Sequence, residues 1–328
     1  MTWLITGGAG FIGAHVVRAM LAAGERVAVY DDLSTGDPGR VPEGVPFVKG
    51  SVLDGDLVRA TLSDLSVSGV VHLAAKKQVG ESVEQPLYYY RENVQGLQTL
   101  LEAAADTGVR HFLFSSSAAV YGMPDVDLVT EDTPCAPVNP YGETKLAGEW
   151  LVRATGRAHG MTTACLRYFN VAGAADEELA DTGVFNLVPM VFEKLTQGVA
   201  PVIFGDDYDT ADGTCVRDFI HVEDIASAHL AAARALTERE PGSDLTVNIG
   251  RGQGVSVREM IALIGEVTGY ADAAAPVSVP RRAGDPARVV ASADRIRGEL
   301  GWTARHDARA MVASAWAGWV RRHPEARR

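Results

Sequence analysis

The turn that follows the first apolar segment constrains the fold of this chain most. Residues 3–6 are apolar, glycines follow at Gly7, Gly10 and Gly13, and an apolar helical run covers residues 14–23. A strand, a glycine-rich turn and a helix in this order allow a ligand to approach the backbone closely and let the helix pack tightly on the strand. The helix N-terminus also presents free amides to an anion. The sequence therefore predicts a dinucleotide-binding unit whose turn holds the diphosphate.

The end of the second predicted strand indicates which dinucleotide is bound. Residues 26–30 are largely apolar after Arg26, and Asp31 follows them directly. A carboxylate at this distance from the glycines can accept hydrogen bonds from the adenosine ribose hydroxyls, and it would repel a 2′-phosphate. The spacing therefore favours NAD over NADP.

Strands and helices alternate through the first half of the chain. The predicted strands and helices are, in order, 3–6, 14–23 (helix), 26–30, 47–48, 54–63 (helix), 69–73, 88–107 (helix), 111–114, 141–159 (helix) and 162–168. This alternation predicts an α/β fold with a doubly wound parallel Rossmann sheet and right-handed crossovers.

The pattern becomes less regular after about residue 171. Gly and Pro are frequent there and the predicted helices, such as 255–268 and 307–322, are shorter. We expect a NAD-binding domain at 1–170 and a smaller α+β substrate domain at 171–328. An apolar helix near 224–236 is expected to pack back onto the first domain.

Tyr141 and Lys145 stand four residues apart in a predicted helix, on one face. A free tyrosine has a pKa of about 10, but a nearby ammonium and a cationic nicotinamide both favour the tyrosinate. The phenol then becomes a usable base near neutral pH. From the spacing alone, a surface helix that happens to carry both residues is the favoured interpretation. The predicted dinucleotide site upstream favours proton transfer.

Charge and composition exclude several classes of protein. A net charge of −12 argues against a general binder of nucleic acid or of membrane surfaces. The 3 cysteines lack metal-ligand spacing and are odd in number, as expected for a reduced protein. No apolar run approaches the roughly 20 residues that span a bilayer, and a first strand at Trp3 leaves no room for a signal peptide. We expect a cytoplasmic protein with no membrane partner.

Acidic and histidine residues do not predict a metal site. Asp206, Asp207, Asp209 and Asp212 lack the Gly and Glu of a calcium-binding loop and are interpreted as part of a turn. The 8 histidines show no ligand spacing. We therefore expect no metal.

Nine short segments together carry a resemblance to a known family. They are the glycine turn, Asp31–Leu33, His72–Ala75, Ser115–Ser117, Tyr141 with Lys145, Leu166–Asn170, 203–208, 213–222 and 282–285. They resemble the UDP-glucose 4-epimerase family, within the extended short-chain dehydrogenases/reductases. The resemblance covers nearly the whole chain, and its later motifs are more specific than the glycines.

The resemblance implies a reaction and its catalytic residues. In such a reaction Tyr141 removes the proton of the sugar 4-hydroxyl while NAD accepts a hydride from C4, and the 4-keto sugar turns over before hydride returns. NAD is retained because no net oxidation occurs. Lys145 is implied to bind the nicotinamide ribose and lower the Tyr141 pKa, and Ser117 to bridge Tyr141 and the 4-hydroxyl. Ala118 and Ala119 stand where related 4,6-dehydratases have an acidic pair, which argues against elimination chemistry.

The resemblance also implies two sets of ligand contacts. The implied NAD contacts are Gly7, Gly10, Phe11, Ile12, Gly13, Asp31, Asp32, Leu33, Ser34, Thr35, Gly36, Ser51, Val52, Leu73, Ala74, Ala75, Lys77, Asn93, Ser115, Tyr141, Lys145, Tyr168 and Phe169. The implied UDP-hexose contacts are Lys77, Ser117, Tyr141, Asn170, Asn186, Leu187, Val202, Phe204, Arg217, Phe219, Arg282, Asp285 and Val289.

Some of the substrate contacts carry specific expectations. Arg217 and Arg282 can form charge-assisted bonds with the diphosphate, although Arg281 could take the place of Arg282. Asp285 can accept from the uridine ribose. Val289 matches the family position whose bulk limits the substituent at the hexose C2, and its intermediate size leaves an N-acetylated UDP-sugar open as an alternative substrate.

The resemblance also bears on the oligomeric state, and two other functions are alternatives to the one it implies. In the family, helices matching 88–107 and 141–159 pair across a twofold axis, which implies a homodimer. Leu97, Leu100 and Leu101 suit either a face of that bundle or an internal core. A net oxidoreductase with exchangeable NAD(P)H is disfavoured by Asp31. A non-catalytic NAD-binding regulator would usually lack the tyrosine or the lysine.

Overall fold

A parallel sheet of seven strands forms the centre of the molecule. The computed structural model describes residues 1–282 and 284–327. The sheet has the order β10-β6-β5-β4-β1-β2-β3, and every neighbouring pair is parallel. Its strands are β1 (Thr2–Thr6), β2 (Arg26–Asp31), β3 (Phe47–Lys49), β4 (Gly69–His72), β5 (His111–Ser117), β6 (Thr162–Tyr168) and β10 (Asp244–Ile249). The predicted doubly wound parallel sheet is confirmed.

Helices cover both faces of this sheet and bury two apolar cores between them and the strands. Its strands are buried on both faces, which explains their almost uninterrupted apolar sequence. These helices are α1 (Phe11–Ala22), α2 (Gly55–Asp64), α5 (Gly96–Asp106), α6 (Pro140–His159) and α8 (Val222–Glu238), and the short helices α3 (Val79–Glu84) and α4 (Pro86–Tyr89) pack on α6.

The single helix predicted over 88–107 is interrupted. Residues Tyr90–Gln95 form a π-helical turn between α4 and α5. A π turn inserts extra backbone into a helix and shifts the side chains that follow, a change that hydrophobic periodicity does not report. The interruption brings Asn93 to a buried position beside the helix α6.

The smaller unit consists of short strands and helices around a third apolar core. A four-stranded sheet joins β11, β9 and β13, with β7 on β9, and β8 pairs with β12. The elements are β7 (Asn170–Ala172), α7 (Leu187–Thr196), β8 (Val202–Phe204), β9 (Val216–His221), β11 (Gly254–Ser256), α9 (Val257–Thr268), β12 (Val277–Val279), β13 (Arg288–Val289), α10 (Asp294–Leu300) and α11 (Ala308–Arg322).

The chain returns to the large sheet after it has begun the smaller unit. Helix α8 packs against α1, and β10 adds to the sheet beside β6. The expected division at 1–170 and 171–328 therefore does not follow the sheet, because an edge strand from the second half completes it through backbone hydrogen bonds. Only the helix near 224–236 was expected on that side. No helix in the described part of the chain is long and apolar enough to cross a membrane.

Candidate active site

A deep cleft lies at the carboxyl ends of β1 to β4 and is closed on one side by α6. It encloses about 1050 Å³, part of it open to solvent. In doubly wound sheets, ligands bind outside the carboxyl ends of the strands, in the crevice where the strand order reverses. The lining residues are Gly7, Gly10, Phe11, Ile12, Gly13, Tyr30, Asp31, Asp32, Ser34, Thr35, Gly50, Ser51, Val52, Leu73, Ala74, Ala75, Lys76, Lys77, Glu92, Tyr141, Lys145 and Tyr168.

The glycine turn leaves the floor of the cleft open to a phosphate group. Gly7 has φ of +71°, and a Cβ added at Gly13 would lie 2.1 Å from the Gly7 carbonyl oxygen, so neither position accepts a side chain without displacement. Helix α1 begins at Gly10 with no side-chain cap and no acidic residue in its first turn. Its first amides are therefore available to an anion. This geometry fits the diphosphate of a dinucleotide.

Asp31 ends β2 with both carboxylate oxygens already oriented. Oδ2 accepts the Ala9 N–H at 3.0 Å and Oδ1 accepts the Leu33 N–H at 2.8 Å. Burial raises the pKa of Asp31, and these two bonds oppose that rise. Each oxygen retains acceptor capacity for a ribose hydroxyl. Leu33 contributes its backbone here, in a left-handed conformation with φ of +61°.

Lys145 lies deep in the cleft with its ammonium group directed at the sheet. Nζ donates to the Ser115 carbonyl oxygen at 2.8 Å and lies 5.9 Å from the centre of the Tyr141 ring. Lys145 is only 4 % exposed, and burial lowers its pKa to about 8. The ammonium is thus positioned beside the phenol without bonding to it.

Tyr141 differs from the expectation in one respect. Burial raises the pKa of its phenol, and a hydrogen bond with the Ser117 side chain opposes that rise. The protein's own groups therefore do not lower the Tyr141 pKa as expected, because the desolvation of the phenol exceeds the stabilisation that its neighbours give the tyrosinate. A ligand cation at this point of the cleft would supply the missing stabilisation.

The end of β5 provides the other polar groups around this tyrosine. The strand extends through Ser117, beyond the predicted end at 114, and Ser115 and Ser116 are fully buried. The Ser117 Oγ also accepts the Ala119 N–H at 3.2 Å, which fixes the turn that follows. Tyr168, on the neighbouring strand β6, faces the same space.

Most residues predicted to contact the cofactor line the cleft, and five do not. The five are Leu33, Gly36, Asn93, Ser115 and Phe169. Leu33 and Ser115 act through backbone atoms, as described above. Asn93 uses its side chain to hold the backbone of Lys76 and the hydroxyl of Thr144. Four lining residues were missed: Tyr30, Gly50, Lys76 and Glu92.

The predicted diphosphate-binding arginines lie on the smaller unit. Arg217 on β9 pairs with Asp285 at 3.8 Å. The Arg282 guanidinium stacks on the Phe204 ring, 3.6 Å from its centre. The neighbouring Arg281 bonds instead to the Asp207 carboxylate at 2.6 Å. Arg281 and Arg282 therefore have different surroundings, and Arg281 is already bonded to the Asp207 carboxylate.

The other predicted substrate contacts are less uniform. Asn170 on β7 is exposed, whereas its register partner Phe219 is 3 % exposed and belongs to the core of the smaller unit. Asn186 donates to the Asp181 carboxylate at 3.2 Å and precedes Leu187 at the start of α7. Contact of these residues, and of Val202 on β8, with a substrate stays a prediction. Ala283, within the 282–285 motif, lies outside the described residues.

Val289 lies behind the turn that follows Ser117. It is 8 % exposed and packs in a small apolar cluster with Val120, Leu146 and Phe169. The cluster connects the smaller unit to α6, the helix that carries Tyr141 and Lys145. A larger side chain at position 289 would have to displace this cluster or project toward the space in front of Ser117.

A buried ion pair beneath the serines was not predicted. Glu149 is fully buried and receives two hydrogen bonds from Arg167, at 2.7 and 2.6 Å, and one from Ser116 at 2.6 Å. Arg167 also donates to the Tyr121 hydroxyl at 2.9 Å. The pair ties α6 to β5 and β6. A signal existed, because Glu149 follows Lys145 by four residues and so faces the same side of the helix.

One group in the described part of the chain has donors close enough to hold a metal: His221, Glu223 and His306. The contacts of these three residues stabilise the fold instead. The two imidazoles stack with their ring centres 4.2 Å apart. His221 Nδ1 accepts the Glu223 N–H at 3.0 Å, which caps α8.

Comparisons with known proteins agree with this geometry. The profile of the NAD dependent epimerase/dehydratase family matches residues 3–250. A UDP-glucose 4-epimerase of Azospirillum brasilense is 43 % identical over 97 % of this chain and 91 % of its own length.

Two solved structures are similar over the whole fold. A UDP-glucose 4-epimerase from Brucella ovis in complex with NAD has a TM-score of 0.91 and 38 % identity, covering 96 % of this chain and 97 % of that one. Another, from Stenotrophomonas maltophila with bound NAD and formylated UDP-arabinopyranose, has a TM-score of 0.93 and 38 % identity, covering 99 % of each chain. With the glycine turn, Asp31 and the Tyr141–Lys145 pair in one cleft, the chain belongs to the NAD dependent epimerase/dehydratase family.

Proposed function

We propose that this chain is an NAD-dependent 4-epimerase that interconverts UDP-glucose and UDP-galactose. The observation that carries the proposal is that Tyr141 and Lys145 line the cleft that begins at the glycine turn, with Ser117 hydrogen-bonded to the Tyr141 phenol. One end of the cleft suits a diphosphate and an adenosine ribose, and the other end has a proton-transfer group. The named activity of the relatives is the same.

The residues at the sheet edge fit NAD. Asp31 can accept both adenosine ribose hydroxyls, and the α1 amides can bind the diphosphate. Bound NAD supplies a hydride acceptor and donor. The protein's part is to hold the nicotinamide end against the sugar C4 and to tune the proton acceptor. Among the described residues the Lys145 ammonium donates one hydrogen bond, to the Ser115 carbonyl, so it retains donors for the nicotinamide ribose.

Tyr141 is the proposed base for the sugar 4-hydroxyl. Ser117, which hydrogen-bonds the phenol, relays the proton between the two oxygens. A buried phenol resists ionisation, so it loses its proton most readily when a cation lies beside it. Coupling ionisation to cofactor binding would keep the base inactive until the site is assembled.

The smaller unit is proposed to hold the UDP part of the substrate. Arg217 and Arg282 can each bond to the diphosphate, and Asp285 can accept from the uridine ribose. If the protein grips only the nucleotide, the 4-keto hexose is free to turn over and present its other face. That freedom is what a 4-epimerase requires.

Neighbouring chemistries fit the site less well. Ala118 and Ala119 occupy the turn after Ser117, where an acid/base group would be needed to eliminate or decarboxylate. One alternative substrate has an observation in its favour. Val289 is smaller than an aromatic residue, so UDP-N-acetylhexosamine is proposed as a second, poorer substrate.

A homodimer through the face of residues 88–107 and 141–159 is proposed, but with other side chains in contact than the leucines first considered. Leu97, Leu100 and Leu101 are at most 3 % exposed and pack inside the chain, so they are core residues. The apolar side chains that remain exposed on the adjoining α3, α4, π turn and α6 are Val79, Val83, Leu87, Tyr90 and Trp150. Such a patch suits an isologous contact between copies. Light scattering that gives a monomer would contradict it.

A cytoplasmic location is also proposed, because Cys135, Cys165 and Cys215 are all unpaired thiols.

The test of the proposed function uses the protein as purified. We expect denaturation to release about one NAD per chain, and fresh protein to convert UDP-galactose to UDP-glucose with no added cofactor. A requirement for added NAD(P)H with net reduction of the substrate would instead favour an oxidoreductase. Binding of NAD without any conversion would favour a regulator.

A further inference from the structure

Lys76 bridges the cleft from one side to the other. Its Nζ donates to the Ser34 hydroxyl at 2.9 Å, and both residues line the cleft. Ser34 lies just beyond the end of β2, and Lys76 lies just beyond the end of β4. The bond therefore joins two loops that flank the glycine turn.

The sheet order shows what this bond passes over. Strands β2 and β4 are the two neighbours of β1, which leads into the glycine turn and α1. A side chain that reaches from the β4 loop to the β2 loop must cross above that turn. The start of α1, Gly10 to Gly13, lines the same cleft, and its first amides have no side-chain cap. A dinucleotide diphosphate would then lie between these amides and the Lys76 ammonium.

The backbone of Lys76 is held more firmly than a surface loop requires. The Asn93 side chain accepts the Lys76 N–H at 2.8 Å and donates to its carbonyl at 3.0 Å. Asn93 is 4 % exposed and also donates to Thr144 at 3.1 Å, next to Lys145 on α6. The base of Lys76 is therefore fixed to the catalytic helix, while its side chain extends across the opening.

The local charges make this position attractive to an anion. Asp31 and Asp32 also line the cleft, but within the described residues the Lys76 ammonium itself hydrogen-bonds only to neutral Ser34. The centre of the Tyr88 ring lies 5.8 Å from it. The Lys76 ammonium retains two further N–H donors. A diphosphate beneath it could accept both without breaking an ion pair.

We propose that Lys76 is a cofactor-retaining residue that binds the NAD diphosphate from the solvent side and, through Ser34, closes the cleft over it. The inference rests on the proposed function and deepens it, since an enzyme with no net redox change has no need to release its cofactor. Exit of NAD requires the Lys76–Ser34 bond to open. Lys77, the neighbouring cation, also lines the cleft but is exposed.

The test measures cofactor exchange rather than activity. Holoprotein is mixed with an excess of radiolabelled NAD, and label bound to the protein is followed by rapid filtration. We expect Lys76→Ala to exchange about tenfold faster than wild type, which corresponds to about 1.4 kcal/mol. Lys76→Gln, which keeps a donor for Ser34 without the charge, should fall between the two, and Ser34→Ala should have a smaller effect.

Salt and a matched control separate a bound cation from a general charge effect. Raising the ionic strength should speed exchange in wild type more than in Lys76→Ala. Lys49→Ala removes an exposed cation at the end of β3, outside the cleft lining, and should exchange like wild type. Exchange of Lys76→Ala at the wild-type rate would overturn the proposal. If wild-type protein holds no NAD at all, the proposed function fails instead.

Discussion

The two sides of the active site are built differently. On the cofactor side, Asp31, Asn93 and Lys145 are each no more than 6 % exposed and hydrogen-bonded to the backbone. On the substrate side, Asn170 is exposed, and the Asp285 side chain keeps 36 % of its surface exposed with its arginine partner at 3.8 Å. The first side is fixed before any ligand arrives. The second side is completed only when the ligand binds. Such an open arrangement leaves room for the hexose to rotate within the site.

The largest expected effect tests whether the fixed side performs the chemistry. Tyr141→Phe removes the proposed base and should lower turnover by about 100-fold or more, the scale of general acid/base catalysis. NAD content should stay near that of wild type, because the phenol is not what holds the diphosphate. Tyr90→Phe is a matched control, since the Tyr90 hydroxyl bonds to Glu143 at the surface. Near-normal turnover of Tyr141→Phe would show that the fixed side has been misassigned.

The next prediction concerns the free energy of unfolding that is lost by burying the Lys145 ammonium. Lys145 has a folded pKa of about 8 against 10.5 for a free lysine. The unfolded chain therefore binds more protons between these values, and wild-type stability should rise with pH across that window. Below pH 8 the penalty is fully present. For protein stripped of NAD, Lys145→Met should raise the free energy of unfolding on the order of 2 kcal/mol at pH 7.

Denaturant unfolding at a series of pH values measures this difference. The stability advantage of Lys145→Met should shrink from pH 8 to pH 10.5, while Lys49→Met should follow the wild-type curve. A constant advantage across that range would mean that the ammonium carries no burial penalty.

A smaller effect is expected on the open side. Arg217→Ala and Arg282→Ala should each raise KM for UDP-galactose by about tenfold with a smaller change in kcat, because each removes one charge-assisted bond made to the nucleotide throughout the reaction. Arg281→Ala is the matched control, since Arg281 is held by Asp207. If Arg281→Ala raised KM and Arg282→Ala did not, Arg281 rather than Arg282 would be the residue that binds the diphosphate.

The smallest effect concerns the sugar itself. Val289→Tyr adds a ring beside Val120 and Leu146, and if it projects toward the hexose it should suppress UDP-N-acetylgalactosamine more than UDP-galactose. A difference of this kind is worth about 1 to 3 kcal/mol. The ratio of kcat/KM for the two sugars measures it. An unchanged ratio would show that position 289 does not limit the C2 substituent.

The cofactor side was also the more predictable of the two from sequence. Glycines at 7, 10 and 13 and an acid at 31 act through backbone geometry and chain order, which a sequence records directly. Thr162–Tyr168 and the body of α6 were predicted at nearly their observed bounds for the same reason.

The features that sequence did not predict depend on contacts between distant segments. The π turn at Tyr90–Gln95 and the hydrogen bond that Asn93 makes with the Lys76 backbone were not predicted. Strand β10 joins the sheet only because an edge of β6 is free to bond it. Leu97 and its neighbours carry the same apolar pattern whether they face a partner or a core, and the packing of α5 decided for the core.

The fate of the hydrogen at the sugar C4 tests the central claim most directly. Purified protein, with no added cofactor, is incubated with UDP-galactose that carries deuterium at C4, and the UDP-glucose formed is examined by mass spectrometry and NMR. A cofactor fixed in the cleft and a hexose that turns within it predict that the deuterium stays at C4 of the product. Loss of the deuterium to solvent or to free NAD would contradict this account.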